Sequence, residues 1–331
     1  MKLRKTIQFE SILVCVLALE ILIFSKTGIH FATQENMFEI LRLSTEIGLL
    51  AVVMTPIILT GGIDLSVGSM LGLSAVLFGK MWRDLGFPPA LAALFTLVLG
   101  ALGGGLNAAL ITRLKLPPLI VTLGSFSLFR GLAEALTRGV DNFTNFPQSY
   151  LAFGQSYLLN VVPAQLPVFV LVAIAVWLLV HKTTFGRSFR AIGFSPEGAL
   201  YAGIPVEQRL ALTYTLSGVV SALAALIYVA RVGQAKADAG VGYELLAITA
   251  VVLGGASIFG GTGTIHGTLL GVAVLAVLKI GLTLSDQPSE LAGILTGGLL
   301  LVVLAGEALV KRISAGRAYT NAKTFITTAD S

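Results

Sequence analysis

The residues best equipped for chemistry lie in a short polar interruption, Thr60-Gly61-Gly62-Ile63-Asp64-Leu65-Ser66-Val67-Gly68-Ser69, set between two apolar runs. The glycines break the helix, and Asp64 stands where an N-cap would accept the free amide hydrogens of the next one. Ser66 and Ser69 fall in that helix's first turns. One carboxylate among hydroxyls does hydrogen-bonding chemistry: it can hold a helix end or line a path for a neutral, hydroxyl-rich solute. Irregular backbone at membrane depth is tolerated in either setting. A second polar stripe starts at Leu116-Pro117-Pro118, with Pro118, Thr122, Ser125 and Phe129 on one helical face. Thr122 and Ser125 therefore join Asp64, Ser66 and Ser69 as candidate path residues. Arg130 and Glu134, four apart on the same helix, predict a structural ion pair that lowers the cost of charge near lipid.

A third group lies in Ser195-Pro196-Glu197-Gly198-Ala199-Leu200-Tyr201-Ala202-Gly203-Ile204-Pro205. Serine caps, proline suits a first turn, and glycine and proline stop a helix, so a short helix is predicted there. The fourth group, Leu253 to Gly267, holds five glycines between 254 and 263. It superficially resembles a phosphate loop, but G-x4-G-K-[ST] occurs nowhere in the chain. His266 reads as a helix-end histidine, since His30 and His181 are distant in sequence and no carboxylate has metal-ligand spacing. The lone Cys15 can form no disulfide within the chain. The acids Glu20, Glu46, Asp64 and Glu134 form no Asp-Asp pair, and H-E-x-x-H is absent. No catalytic residue, metal or cofactor is therefore expected.

The elements that must position these groups follow from composition. The 331 residues are 55% hydrophobic and only 12% charged, against about a quarter charged in soluble domains, and mean hydropathy is +0.89. Lipid is the solvent, and the net charge of +5 reports topology, not nucleic acid. Ten apolar runs long enough to be considered as spans cover 9–25, 41–60, 65–82, 88–111, 117–137, 166–181, 211–232, 244–258, 267–284 and 291–308. The eighth is the shortest. With the N-terminus inside, thirteen Lys and Arg fall on inner segments: Lys2, Arg4, Lys5, Arg113, Lys115, Lys182, Arg187, Arg190, Arg209, Lys311, Arg312, Arg317 and Lys323. Five fall outside: Lys26, Lys80, Arg83, Arg138 and Lys236. Cation asymmetry sets orientation, so both termini are expected inside. Glycines four apart at 68/72, 100/104, 267/271 and 293/297 are expected to let helix backbones meet.

These motifs resemble a known family. TGGIDLSVGS (60–69), LPPLIVTLGSFSLFRG (116–131), GRSFRAIGFSPEGALYAGIP (186–205) and LGGASIFGGTGTIHG (253–267) are similar to the monosaccharide branch of the branched-chain and ribose-type ABC importer permeases. That branch covers ribose, arabinose, xylose, rhamnose and autoinducer-2 permeases. The resemblance implies an all-α integral membrane protein with a type II importer bundle over 1–312. It also implies a cytoplasmic coupling loop over 182–210, an outer loop over 138–165 and a flexible polar cytoplasmic tail over 313–331. In the coupling loop, Arg187, Glu197, Gly198, Ala199 and Gly203 are the residues implied in docking an ATPase; Gly198 stands where the family usually has an alanine-like residue. The implied partners are a second copy or similar permease, two ATP-binding subunits, a periplasmic solute-binding protein and the bilayer of the bacterial inner membrane. The outer loop carries only two charged residues, Arg138 and Asp141, with prolines and several aromatics, so it is expected to be where the binding protein docks, and cross-linking from Phe146 or Tyr150 would test this. An ion-coupled secondary transporter of small polar solutes shares the broken-helix signature; the energy source separates the two.

Overall fold

The computed structural model describes residues 2–159, 161–288 and 290–306; the tail expected over 313–331 lies outside them. Helices dominate: α1 (Lys2–Thr27), α2 (Gln34–Leu59), α3 (Val67–Arg83), α4 (Pro89–Thr112), α5 (Pro118–Leu136), α6 (Gln148–Gln155), α7 (Leu166–Lys182), α8 (Thr184–Phe194), α9 (Pro196–Tyr201), α10 (Val206–Val232), α11 (Tyr243–Leu253) and α12 (Ile265–Leu284). A last helix, α13, covers Glu290–Gly306. Strands β1 (Tyr157–Leu158) and β2 (Val162–Pro163) pair antiparallel. The local sequence explains several of the starts. Thr33, Thr183, Ser195 and Thr264 accept backbone N–H groups at the starts of α2, α8, α9 and α12, and proline opens α4 and α5.

Each of the ten apolar runs falls on a helix, but the helices differ in reach. Helices α2, α4, α5, α10 and α12 are long and apolar enough to cross a membrane, and α7 with α8, bent by 68°, makes a sixth candidate. The run 244–258 does not form a full span: α11 has 11 residues, about 16 Å of rise against a hydrocarbon core of about 30 Å. It stops because Gly255 turns the chain at φ +84. Before it, residues 233–242 run in irregular backbone from Gly233 (φ +73) to Gly242 (φ +79). This segment bridges to Phe143 through Ala235 and crosses the glycines of α3.

Helix α2 is the axis, with every residue from Leu49 to Leu59 buried among α7, α10, α11 and α12. Glycine sets the closest contacts. A Cβ on Gly100 would stand 2.6 Å from Ala222 Cβ, and one on Gly218 would stand 2.8 Å from Gly104 Cα, so α4 and α10 meet backbone to backbone. Gly267 and Gly271 admit α11 in the same way, and Gly68 and Gly72 admit the 237–240 segment. The fourth pair differs from expectation: among the described residues nothing within 4 Å would meet a Cβ on Gly293 or Gly297. Large side chains such as Leu102 (64% exposed) and Leu171 (69%) cover the outer faces of α4 and α7, as a lipid-facing surface requires.

The outer loop folds into the bundle. Phe146 stacks on Phe78 with centroids 5.5 Å apart, and the Tyr150 hydroxyl donates to the Leu226 carbonyl at 2.6 Å. Phe146 is buried and the Tyr150 hydroxyl is committed to α10, so neither is a free position from which to cross-link a binding protein.

Candidate functional site

The structure brings all five predicted path residues together, as a closed cluster. The Asp64 carboxylate accepts the Ser66 N–H at 2.9 Å, the Ser66 hydroxyl at 2.6 Å and the Ser217 hydroxyl of α10 at 2.8 Å. Asn107 of α4 donates to Ser66 Oγ at 2.9 Å and receives the Ser125 hydroxyl of α5. Thr122 donates to the Ile63 carbonyl at 3.1 Å, and Ser69 to the Ser66 carbonyl at 3.0 Å. Asp64, Ser66, Ser69, Thr122 and Ser125 are each at most 4% exposed. Asp64 therefore does not cap α3 as predicted. Ser66 is the N-cap residue, and Asp64 bonds back to it in an Asx turn. A buried carboxylate is costly unless hydrogen-bonded, and here its bonds reach α10 directly and α4 and α5 through Ser66 and Asn107.

The predicted Arg130–Glu134 pair is replaced by a different arrangement. The Arg130 guanidinium donates to the carbonyls of Ala237 and Ala239, the latter at 3.1 Å, and to Gly68 at 3.4 Å. Glu134 joins no ion pair among the described residues. The irregular 233–242 segment leaves carbonyls without helical partners, and these acceptors take up the five-donor guanidinium fork, which a single carboxylate would satisfy only in part. The histidines also differ from expectation. Trp177 Nε1 donates to His266 Nε2 at 2.7 Å, and the His181 ring lies 5.2 Å from that of His266. Distance in sequence hid this neighbour. No group of three potential metal ligands forms among the described residues.

The predicted short helix is α9, capped by Ser195 Oγ accepting the Gly198 N–H at 3.0 Å and ended by Gly203 at φ +78. Arg187, Glu197, Gly198 and Gly203 are exposed, with Leu200 and Tyr201 beside them, whereas Ala199 is turned inward. Helix α8 ties this projection to both helix breaks. Gly193 packs on Leu59 and on Gly260–Gly261, the Gly261 N–H donates to the Leu59 carbonyl at 2.9 Å, and Arg190 reaches the Gly263 carbonyl at 3.4 Å. The glycines at 260, 261 and 263 all take positive φ, which explains the glycine-rich run without any phosphate.

Open space lies elsewhere. A cavity of about 580 Å³ sits among α2, α12 and α13, with Arg231 and Tyr243 in its wall. None of the five predicted path residues lines it. Arg231 pairs at 2.7 Å with Glu46, whose side chain is fully buried.

Lipid-facing helices around a broken central axis, with a projecting helix joined to both breaks, define a multi-pass membrane protein. The chain belongs to the family described as branched-chain amino acid transport system / permease component, whose model matches residues 36–304. It is 41% identical over 268 residues, 80% of its length and 81% of theirs, to the autoinducer 2 import system permease proteins LsrD of Escherichia coli K12 and Shigella flexneri. With the same protein of Escherichia coli SMS-3-5 the identity is 40%. No solved structure matches the chain. The resemblance carried by the four motifs therefore holds, and the chain is a transport subunit of the bacterial inner membrane.

Proposed function

We propose that the chain is one permease half of an ATP-driven importer for a small sugar-like solute, with autoinducer 2 the leading candidate. Its similarity over 80% of its length to autoinducer 2 import permeases carries this reading. In it the bundle has ten membrane passages with both ends inside, the eighth made of the 233–242 segment plus α11. Thirteen inner against five outer cations support that topology. A second permease completes the pathway, two ATPases dock on the inner face, and a periplasmic protein delivers the solute. Helix α9 is the docking element: Glu197, Gly198 and Gly203 face the ATPase with Arg187 beside them, while Ala199 anchors the helix to the bundle. Movement of α9 passes through α8 to Leu59 and the glycine loop, so the Asp64 cluster acts as the hinge at the foot of α2.

Two experiments test this reading. Proteoliposomes holding the permease with its co-encoded ATPase and second permease are expected to take up autoinducer 2 only with ATP inside and the binding protein outside. Uptake by the chain alone down an ion gradient would instead establish a secondary transporter. Gly203→Pro forces φ to about −65° where +78 is needed, and Glu197→Arg reverses an exposed charge. Each is expected to abolish uptake and ATPase co-purification, and normal values in both would refute the docking assignment.

A further inference from the structure

We infer that the contact between Trp177 and His266 is a proton-sensitive latch, which holds α7 to α12 while the imidazole is neutral and opens when the solution on its side of the membrane turns acidic. The inference goes beyond the importer reading and rests on it only for which side that is, the cytoplasm. The chemistry of the bond makes it sensitive. Trp177 Nε1 donates to His266 Nε2 at 2.7 Å. An indole nitrogen can only donate, so His266 Nε2 must keep its lone pair, and the neutral ring carries its proton on Nδ1. A proton added at Nε2 sets two N–H groups against each other, and the bond breaks. His266 is exposed, so water can deliver that proton. Imidazole is also the side chain whose ordinary charge change falls between about pH 5 and 8.

The surroundings favour opening over a rearranged bond. The His181 ring lies 5.2 Å from that of His266 and stacks on Trp177 at 5.8 Å. Its Nδ1 is 3.3 Å from the Trp177 carbonyl, and its Nε2 has no partner. Two imidazoles this close resist being charged together, so the pair takes up one proton before a second. Among the described side chains, α1 brings Glu10, which accepts the Thr264 hydroxyl at 2.8 Å. Helix α7 brings Lys182, its ammonium 5.3 Å from the centre of the Trp177 ring. Helix α8 brings the exposed Arg187 and Arg190, which donates to the Val180 and Gly263 carbonyls at 3.1 and 3.4 Å. The buried stretch of α2 and the glycine loop carry no charge. A charged His266 is therefore repelled by Lys182 over the indole and has Glu10, beside Thr264, as its other partner. The place of the bond gives it leverage. Trp177 lies shortly before the 68° bend between α7 and α8, and His266 opens α12 directly after the glycine loop. Among the described residues this is the one side-chain hydrogen bond between α7 and α12. While it is closed, a pull on α9 passes through α8 into the bundle; once it opens, the bend yields and absorbs the pull.

The test has a spectroscopic arm and a transport arm. In the purified full chain, Trp82→Phe leaves Trp177 as the one tryptophan of two, and its emission is followed from about pH 7.5 to about pH 5.5. The emission is expected to titrate, to go on titrating in His181→Gln, and to become flat in His266→Gln, which can still accept the indole N–H but takes up no proton. A titration that survives His266→Gln, or that His181→Gln alone removes, overturns the latch. The transport arm uses proteoliposomes of the assembled transporter, with the outside held at about pH 7.5 and the inside set to either end of that range. Uptake of autoinducer 2 per ATP hydrolysed is expected to fall several-fold at the acidic inner pH. His266→Gln is expected to keep the higher value at both, and Trp177→Phe to show the lower value at both. The same pH dependence in all three proteins overturns the role in coupling. Absence of ATP-driven uptake by the wild type removes the importer reading, and the fluorescence titration then still decides the latch.

Discussion

The Asp64 cluster and the cavity bordered by Glu39 and Arg231 sit toward opposite ends of α2 and handle polar groups in opposite ways. At the first, a carboxylate, an amide and several hydroxyls bond to one another across α3, α4, α5 and α10. At the second, the charges pair outward against Arg42 and Glu46, and the space they border stays open. Polar residues inside a membrane protein are thus no single signal. Mutual satisfaction closes a joint between helices, whereas charges paired from behind leave the space beside them open.

The sharpest way to break this contrast is Asp64→Leu. It strands Ser66 and Ser217 in a dry site, and unsatisfied buried donors cost about 1–3 kcal/mol each, so a loss of about 3 kcal/mol is expected. Thermal unfolding of the detergent-solubilised protein reads it. Asp64→Asn, which keeps an acceptor, is expected to lose less. An Asp64→Leu protein that melts with the wild type would mean that the cluster is no joint, and would return this region to the solute path.

The next largest effect is expected at the cavity end. Glu46→Leu leaves Arg231 without its partner, and breaking a buried pair costs about 3–5 kcal/mol when no water can reach the orphan. Arg231 borders the cavity, so water can reach it, and about 2 kcal/mol is expected. Adding Arg231→Met should recover most of the loss. A full-sized loss with no recovery would argue that the cavity is dry and closed.

How much of this could be read in the sequence depends on how local each signal is. The break at 60–66, the α9 helix and its caps, and the positions of the helices depend on neighbours a few residues apart, and were legible. The Asp64 partners were half legible. Ser66 lies two residues away, but Asn107 and Ser217 lie inside apolar runs far along the chain, and nothing in their spacing points to Asp64. Their only signal was the expense of an unpaired amide or hydroxyl in a span. Arg130 was misread because a carboxylate four residues on is a visible partner, whereas the carbonyls of an irregular segment more than a hundred residues later are not. The cavity was invisible for the same reason: its wall is assembled from single faces of helices that periodicity reads only as apolar.

A smaller effect separates members within the cluster. Ser217→Ala removes one of three bonds to Asp64 and leaves the two from Ser66. About 1 kcal/mol of stability is expected to be lost, measured in the same unfolding assay. Combined with Asp64→Leu it should add little, because both changes remove the same bond. Full additivity would show that Ser217 stabilises through some other contact.

The smallest effect is expected at the other end of α3, where Asp84 offers the same chemical group in the opposite setting. Lys80 and Arg83 bond to it at 2.9 and 2.8 Å and hold its carboxyl below the ordinary carboxylate range. A depressed folded-state pKa means that any stabilisation is present above the unfolded value and disappears as pH falls through the folded one. Water and salt screen such an exposed pair, and measured contributions of this kind are near zero. Asp84→Asn is accordingly expected to shift the melting midpoint no more than preparations differ among themselves, at neutral pH and in mild acid alike. A clear acid-dependent loss that Asp84→Asn abolishes would show that a solvated ion pair at a helix end carries real weight in this bundle. The division between the two ends of α2 would then rest less on burial than on which charges happen to be paired.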